Sequence, residues 1–411
     1  MSKLPVGWEL VTLESISRKM QSGGTPLSSN KSFYNGDIPF VKIDDITSSA
    51  KYLYKTKINI TKEGLENSSA WIVPINSILY SMYASLGFLV INKIPVATNQ
   101  AIMNIIPDSD KVELEYLYQF LIDFKNKINK FIDQTTQKNL NAQKVKNFLI
   151  NLPPLEEQKK IADILSTVDK KIAFVEDNIN ATEELKKGLM QKLLTEGIGH
   201  TEFKDSELGR IPESWEIKRL NSICNKITDG SHFSPIPNKN TGFYIATVKD
   251  MLSNTFNINT CTHIEENDFK LLEINGCKPE IGDILFSKDG TIGKTFVYKD
   301  MKIPLVVLSS IAIIKPIFKV LDSLFTMHVL KSNIFYKQLN GLSSGSALKR
   351  VVLKAIKEIK IPFPPLEEQK QIAEILSTVD NKLENLKEKK QYFEELKKGL
   401  MQKLLTGEIR V

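Results

Sequence analysis

The sequence predicts an α+β protein. Two mixed α/β domains are separated by two long helices, which pack as an intramolecular antiparallel coiled coil on a pseudo-twofold internal repeat. Three observations predict this. The block LPPLEEQKKIADILSTVDKKI at 152–172 returns at 363–383 as FPPLEEQKQIAEILSTVDNKL, with 16 of 21 positions identical at an offset of 211. EELKKGLMQKLLT stands at 183–195 and again, unchanged, at 394–406. The regions outside these blocks have diverged almost completely. At 411 residues, 42% hydrophobic and 25% charged, the chain has the composition of an ordinary globular protein with room for two or three domains.

Residues 1–151 form the first domain. Strand-like runs at Ile72–Tyr80, Phe88–Ile94 and Ala101–Ile106 are punctuated by Gly, Pro, Asn and Ser, and a helical stretch follows near 113–132. Residues 152–198 form the first long helix. Two prolines precede LEEQ, whose paired acids suit the positive end of a helix dipole. Ile161, Leu165, Val168, Ile172, Val175 and Ile179, then Thr182 and Lys186, then Leu189 and Leu193 recur in alternating three- and four-residue steps, a heptad seam. From Leu155 to Thr195 such a helix is about 60 Å long.

Residues 199–362 hold a linker and the second domain, which answers the first faintly. IPESWEIKRLNSI at 211–223 matches LPVGWELVTLESI at 4–16, IATVKDM at 245–251 matches FVKIDDI at 40–46, and ILFS at 284–287 matches ILYS at 78–81. A strand run at Ile303–Ile314 and a helical stretch near 322–341 complete it. Residues 363–411 form the second helix, with its seam at Ile372, Leu376, Val379, Leu383, Leu386, Phe393, Leu400 and Leu404. Neither stripe can bury itself alone, so each helix takes the other as its partner; run antiparallel, they hold the domains apart at opposite ends. Lys186, Lys390 and Lys397 interrupt the seams, either as solvated breaks or as points where another subunit enters. The end of the linker (195–216) reappears at the start of the chain as KLPVGWE, so the halves would close into a ring.

The net charge of +7 is unevenly placed. Residues 1–150 carry 17 basic and 13 acidic side chains, and residues 210–362 carry 21 and 14; residues 151–209 carry 8 and 12, and the last block is balanced. The positive excess therefore lies in the diverged domains, as polyanion binding would require. No apolar run approaches a membrane span, and three cysteines without framework spacing fit a reduced, cytoplasmic chain. Catalytic motifs are missing. KDGTIGKT at 288–295 ends like a phosphate loop, but the glycine needed five residues before Gly293 is Lys288. Cys224, Cys261, Cys277 and His263 fit none of the usual zinc spacings.

PPLEEQKKIADILSTVD and PPLEEQKQIAEILSTVD, the GWE and SWE openings and the LKKGLMQKLLT helix ends resemble the DNA-specificity (S) subunits of type I restriction–modification systems over essentially the whole chain. The resemblance implies that each domain is a target-recognition domain reading one half of a split site in double-stranded DNA. The helices would set the spacer and dock two methyltransferase (M) subunits, which use S-adenosylmethionine to methylate adenine. Restriction/translocase (R) subunits would then join, using ATP and Mg. The chain itself would carry no cofactor and no catalytic centre. Two equal M subunits need two equal docking surfaces, while two half-sites need two different reading faces. A coiled-coil protein–protein scaffold without DNA specificity is the alternative, and it leaves the basic domains unexplained.

Base edges are read by Asn, Gln, Arg, Lys, Ser, Thr or Asp on loops and strand ends, while phosphates take Lys, Arg and backbone N–H groups. The expected DNA contacts in the first domain are Ser22, Thr25, Lys31, Tyr34, Lys42, Ser81, Tyr83, Lys138 and Asn139. In the second they are Thr228, Asp229, His232, Lys249, Ser287, Lys288, Thr291, Lys294, Lys349 and Arg350. GGTP at 23–26 serves either contact or its own backbone turns, and Lys42 either DNA or an ion pair with Asp44. The acidic first helix would repel DNA, so the expected partner-binding residues are the helix acids Glu156, Glu157, Glu183, Glu184, Glu367, Glu368, Glu394 and Glu395.

Overall fold

A computed structural model of the protein describes residues 4–83, 85–125, 140–238, 241–341 and 350–411. They form two compact units, one from residues 1–176 with 388–411 and the other from 177–387.

In the first unit, strand Glu9–Thr12 pairs antiparallel with Leu149–Leu152, tying the opening of the domain to its close just before the long helix. A five-stranded sheet runs in the order Ser17–Ser22, Ile102–Pro107, Ile78–Ser81, Leu89–Asn92 and Tyr52–Leu53. Its strands ILYS and LVIN are buried throughout, which is why they read as unbroken apolar runs. A three-stranded sheet is centred on Tyr34–Val41. Helix Leu114–Lys125 sends Leu117 and Leu121 into the core that also takes Ile161 and Leu165 of the first long helix and Met401 and Leu404 of the second.

The second unit repeats the plan. Glu216–Arg219 pairs with Lys360–Phe363, and a four-stranded antiparallel sheet runs Cys224–Asp229, Ile311–Pro316, Ile284–Ser287, Thr295–Val297. A three-stranded sheet is centred on Phe243–Ala246. Its main core includes Leu193 and Leu194 of the first long helix and Ile372 and Leu376 of the second.

The long helices span Leu155–Thr195 and Leu366–Leu404. In the first unit Lys397 pairs with Asp169 at 2.7 Å and Lys390 with Glu176 at 2.8 Å. In the second, Lys387 meets Glu183 at 2.8 Å and Lys186 meets Asp380 at 2.5 Å. Partners rise along one helix as they fall along the other, so within each unit the two stretches run antiparallel. The three seam lysines are therefore neither solvated breaks nor openings for another subunit: each is matched by a carboxylate on the facing helix. No helix among the described residues is long and apolar enough to cross a membrane.

Three predicted elements differ. The strand expected over Ile72–Tyr80 begins only at Ile78, because Pro74 offers no N–H and Asn76 takes a left-handed conformation (φ 59°) that breaks the extension. The run Ile303–Ile314 divides into Leu305–Val307 and Ile311–Pro316, which enter different sheets across a turn closed by Ile311 N–H donating to Leu308. The stretch 322–341 is two helices, Ser323–Leu330 and Asn333–Gly341.

Candidate nucleic-acid interface

Each domain builds its loops on one backbone frame. In the second, the Gly230 N–H donates to Ile311 O and the Ser231 N–H to Val307 O; in the first, the Gly23 N–H donates to Ile102 O and the Gly24 N–H to Thr98 O. A Cβ on Gly23 would stand 2.0 Å from Thr98 O, and one on Gly230 2.0 Å from Val307 O. GGTP is therefore there for close backbone approach. Beside it, the loop after Ile284–Ser287 closes by Gly293 N–H to Ser287 O, and the loop after Ile78–Ser81 by Gly87 N–H to Ser81 O. The Val351 N–H donates to Lys288 O at 2.8 Å, as the Leu140 N–H donates to Met82 O at 3.1 Å.

On this frame the second domain carries a row of charges. His232 lies 3.3 Å from Asp229, Asp229 lies 3.4 Å from the Lys288 ammonium, Lys288 lies 3.0 Å from Asp289, and Asp289 lies 3.0 Å from Arg350 Nε. The same places in the first domain are Ser22 for Asp229, Met82 for Lys288 and Tyr83 for Asp289. The neighbouring loops match too. Asp45 caps the backbone N–H of Lys42, and Asp250 that of Thr247, which brings Asp44 and Lys249 to the same exposed position with opposite charge.

Thr25, Lys31, Tyr83, His232, Lys249, Thr291 and Arg350 are exposed on these loops. Thr25 donates to Gln100, and Lys31 opens a short helical turn capped by Asn30. Ser22, Thr228, Asp229 and Lys42 are half-buried beside them, and Lys42 forms no ion pair with Asp44 among the described residues. Lys138, Asn139 and Lys349 lie outside the described residues.

Several expected contacts are corrected by burial. Ser81 and Ser287 are fully buried. The Ser81 hydroxyl donates to Tyr83 O at 3.1 Å; that of Ser287 donates to Thr291 O and accepts from the Lys294 N–H, so both hold loops shut. Lys288 is 2% exposed between two carboxylates. Lys294 turns inward, donating to Val248 O at 3.2 Å and Met251 O at 2.7 Å. The Tyr34 hydroxyl is spent on Pro26 O at 2.7 Å, inside the GGTP turn.

The helix acids divide as well. Glu156 and Glu367 are exposed and pair along their own helix with Lys159 and Lys370. Glu183 is paired with Lys387, Glu184 is exposed, Glu394 lies 3.9 Å from Lys390, and Glu395 accepts from Gln391. Glu157 and Glu368 face inward and offer a partner nothing. The Trp8 indole donates to Glu157 at 3.0 Å and the Trp215 indole to Glu368 at 2.9 Å. Arg410 completes the first set, and the Ile198 N–H and His200 complete the second. Burial would push the Glu157 carboxyl up, but the bonds from Arg410 and Trp8 hold it below its usual range.

Beside each acid stands a buried glutamine that the sequence reasoning missed. Gln158 accepts from the Glu113 N–H and donates to the carbonyls of Lys111 and Pro153. Gln369 does the same with the Asp322 N–H, Val320 O and Pro364 O. The signal was available: a tryptophan recurs in both halves within openings that have otherwise drifted, each paired with an unchanged EEQ. One more pair departs from identity. Buried Gln119 donates to Asp169 at 2.6 Å, and its counterpart His328 stands 4.0 Å from Asp380, the equivalent acid.

Among the described residues no group of three or more His, Cys, Asp or Glu is placed to hold a metal. The cysteines are buried, which pushes the Cys224 and Cys261 thiols up to about 12.

Residues 5–184 and 212–395 match the model of the type I restriction modification DNA specificity domain. The chain is similar to a putative type I restriction enzyme MjaX specificity subunit of Methanocaldococcus jannaschii, 31% identical over 100% of this chain and 96% of that one. It is 24% identical to the type I restriction enzyme EcoBI specificity subunit of Escherichia coli, covering 89% and 77%. Among solved structures, the S subunit of a type I system from M. genitalium shares the fold with a TM-score of 0.60 at 16% identity, covering 98% and 97%.

Proposed function

The chain belongs to the family of type I restriction modification DNA specificity subunits, and from that we propose that its two domains each read one half of a bipartite DNA site. It is a specificity subunit and not itself an enzyme. The observation that carries the reading is the shared loop frame filled with unlike side chains: the charge row at 229, 288 and 289 stands where the first domain has serine, methionine and tyrosine. One fold presented twice with different faces is what a split, asymmetric site requires.

The long helices act in this proposal as an antiparallel coiled coil that fixes the spacer and docks two M subunits. The facing ion pairs in each unit support it, as does the matching closure of the units, in which the chain beyond each long helix reaches the inward-facing Glu of the other: His200 to Glu368, and Arg410 to Glu157. The exposed acids of the helices face the M subunits. Those partners bring S-adenosylmethionine and the R subunits bring ATP and Mg, and the complex works in the cytoplasm.

The test is adenine methylation across a genome in cells carrying this chain with its M subunit, compared with M alone. A split motif modified only in the presence of this chain is the expected result. A complex that co-purifies yet creates no motif overturns DNA reading and leaves a scaffold.

A further inference from the structure

We infer that Arg350 reads a guanine in the half-site of the second domain, with Asp289 and the buried Lys288 as the residues that aim it. This rests on the proposal that the domain reads DNA.

Arg350 is fixed first through its backbone, which forms an antiparallel bridge with Asp289, while the adjoining Val351 N–H donates to Lys288 O. Its side chain is then fixed through Nε, 3.0 Å from Asp289 Oδ1. The side chain is 60% exposed, so with the Nε edge occupied the terminal amines form the outward fork. That fork matches the paired O6 and N7 acceptors of guanine in the major groove. Because Asp289 has already restricted the torsions, binding costs less side-chain entropy.

The rest of the row fixes Asp289 in turn. Its second oxygen takes the Lys288 ammonium at 3.0 Å, and Lys288 reaches Asp229 at 3.4 Å. Such a buried ammonium is costly unless carboxylates surround it. The first domain folds on the same frame with Ser22, Met82 and Tyr83, so the fold does not need these charges. They are an addition peculiar to the second domain, and they end at an exposed arginine. Two acids and two bases also cancel, so the row brings no net attraction for phosphate; what it offers DNA is oriented hydrogen bonding.

The experiment uses the full chain with its M subunits, methylating a duplex library randomised across both half-sites. R350A should lose preference for guanine at one position of one half-site, by roughly ten- to a hundredfold, with the other half-site unchanged as an internal control of folding. D289N, a positioning variant, should lower the same preference by a smaller factor and move no other position. Uniform weakening at all positions would mean a phosphate contact and overturn the inference, as would unchanged preference. If the unsubstituted complex selects no split site, the proposed function fails and takes this inference with it; if it selects one that R350A leaves intact, this inference alone fails.

Discussion

Substituting glutamine for His328 should remove a pH-dependent weakness of the second unit. His328 is fully buried on helix Ser323–Leu330, where Nε2 meets the Ser377 hydroxyl at 3.2 Å and Nδ1 is without a hydrogen-bond partner. Burial holds its pKa down to about 4. Asp380 opposes this, while Lys331 and Lys186 add to it. In the unfolded chain the imidazole titrates near 6.5, so below that pH the unfolded state takes the proton first and stability falls as pH drops toward 4. From those two values the loss is about 1 kcal/mol at pH 5.5 and about 2–3 kcal/mol at pH 4.5, and it vanishes above pH 7.5. Glutamine stands at the counterpart position 119, where it donates to Asp169, so H328Q has a ready partner in Asp380. The assay is denaturant unfolding followed by fluorescence at pH 7.5, 5.5 and 4.5; Trp215, fully buried in this unit, reports on it. H328Q should lose less stability than wild type by those amounts. Parallel losses in the two proteins would refute the buried-imidazole argument, because the other carboxylates titrate equally in both.

Two further outcomes follow from the helices. E368A removes the acceptor of the Trp215 indole and the partner of His200; by the usual worth of hydrogen bonds to a charged group it should destabilise the second unit by about 1–3 kcal/mol, read as a lower denaturation midpoint. Reversing Glu184 with Glu395 leaves the Glu183–Lys387 pair untouched and should weaken co-purification of M subunits without altering the methylated motif, whereas unchanged assembly would remove these acids from the docking surface.

Much of the architecture was legible in residues that serve the frame. The prolines, the paired acids and the heptad steps placed the first long helix over Leu155–Thr195, because helix signals are local and periodic. Strand ends were less legible: nothing in Ile72–Tyr80 but Pro74 and Asn76 marks where the extension fails. The candidate site suffered from a different blindness. Ser287, Lys288 and Lys294 look in the sequence like exposed polar residues, and only the fold shows that each is consumed inside its loop. Glu157 and Glu368 misled in the same way. Their identity across the copies was read as a shared partner, when it reflects two shared tryptophans within the chain.

The two buried glutamines carry a consequence for how such a protein changes over time. Gln158 and Gln369 hold their domains through Lys111 O, the Glu113 N–H, Val320 O and the Asp322 N–H, all of them main-chain groups. A socket that recognises only backbone is indifferent to side-chain identity. Substitutions can therefore accumulate through a domain, or one domain can be exchanged for a distant relative, without a matching change in the helix. What must be retained is a turn of the same shape, the tryptophan that reaches the neighbouring acid, and an apolar face such as Leu117 and Leu121 to pack on Ile161 and Leu165.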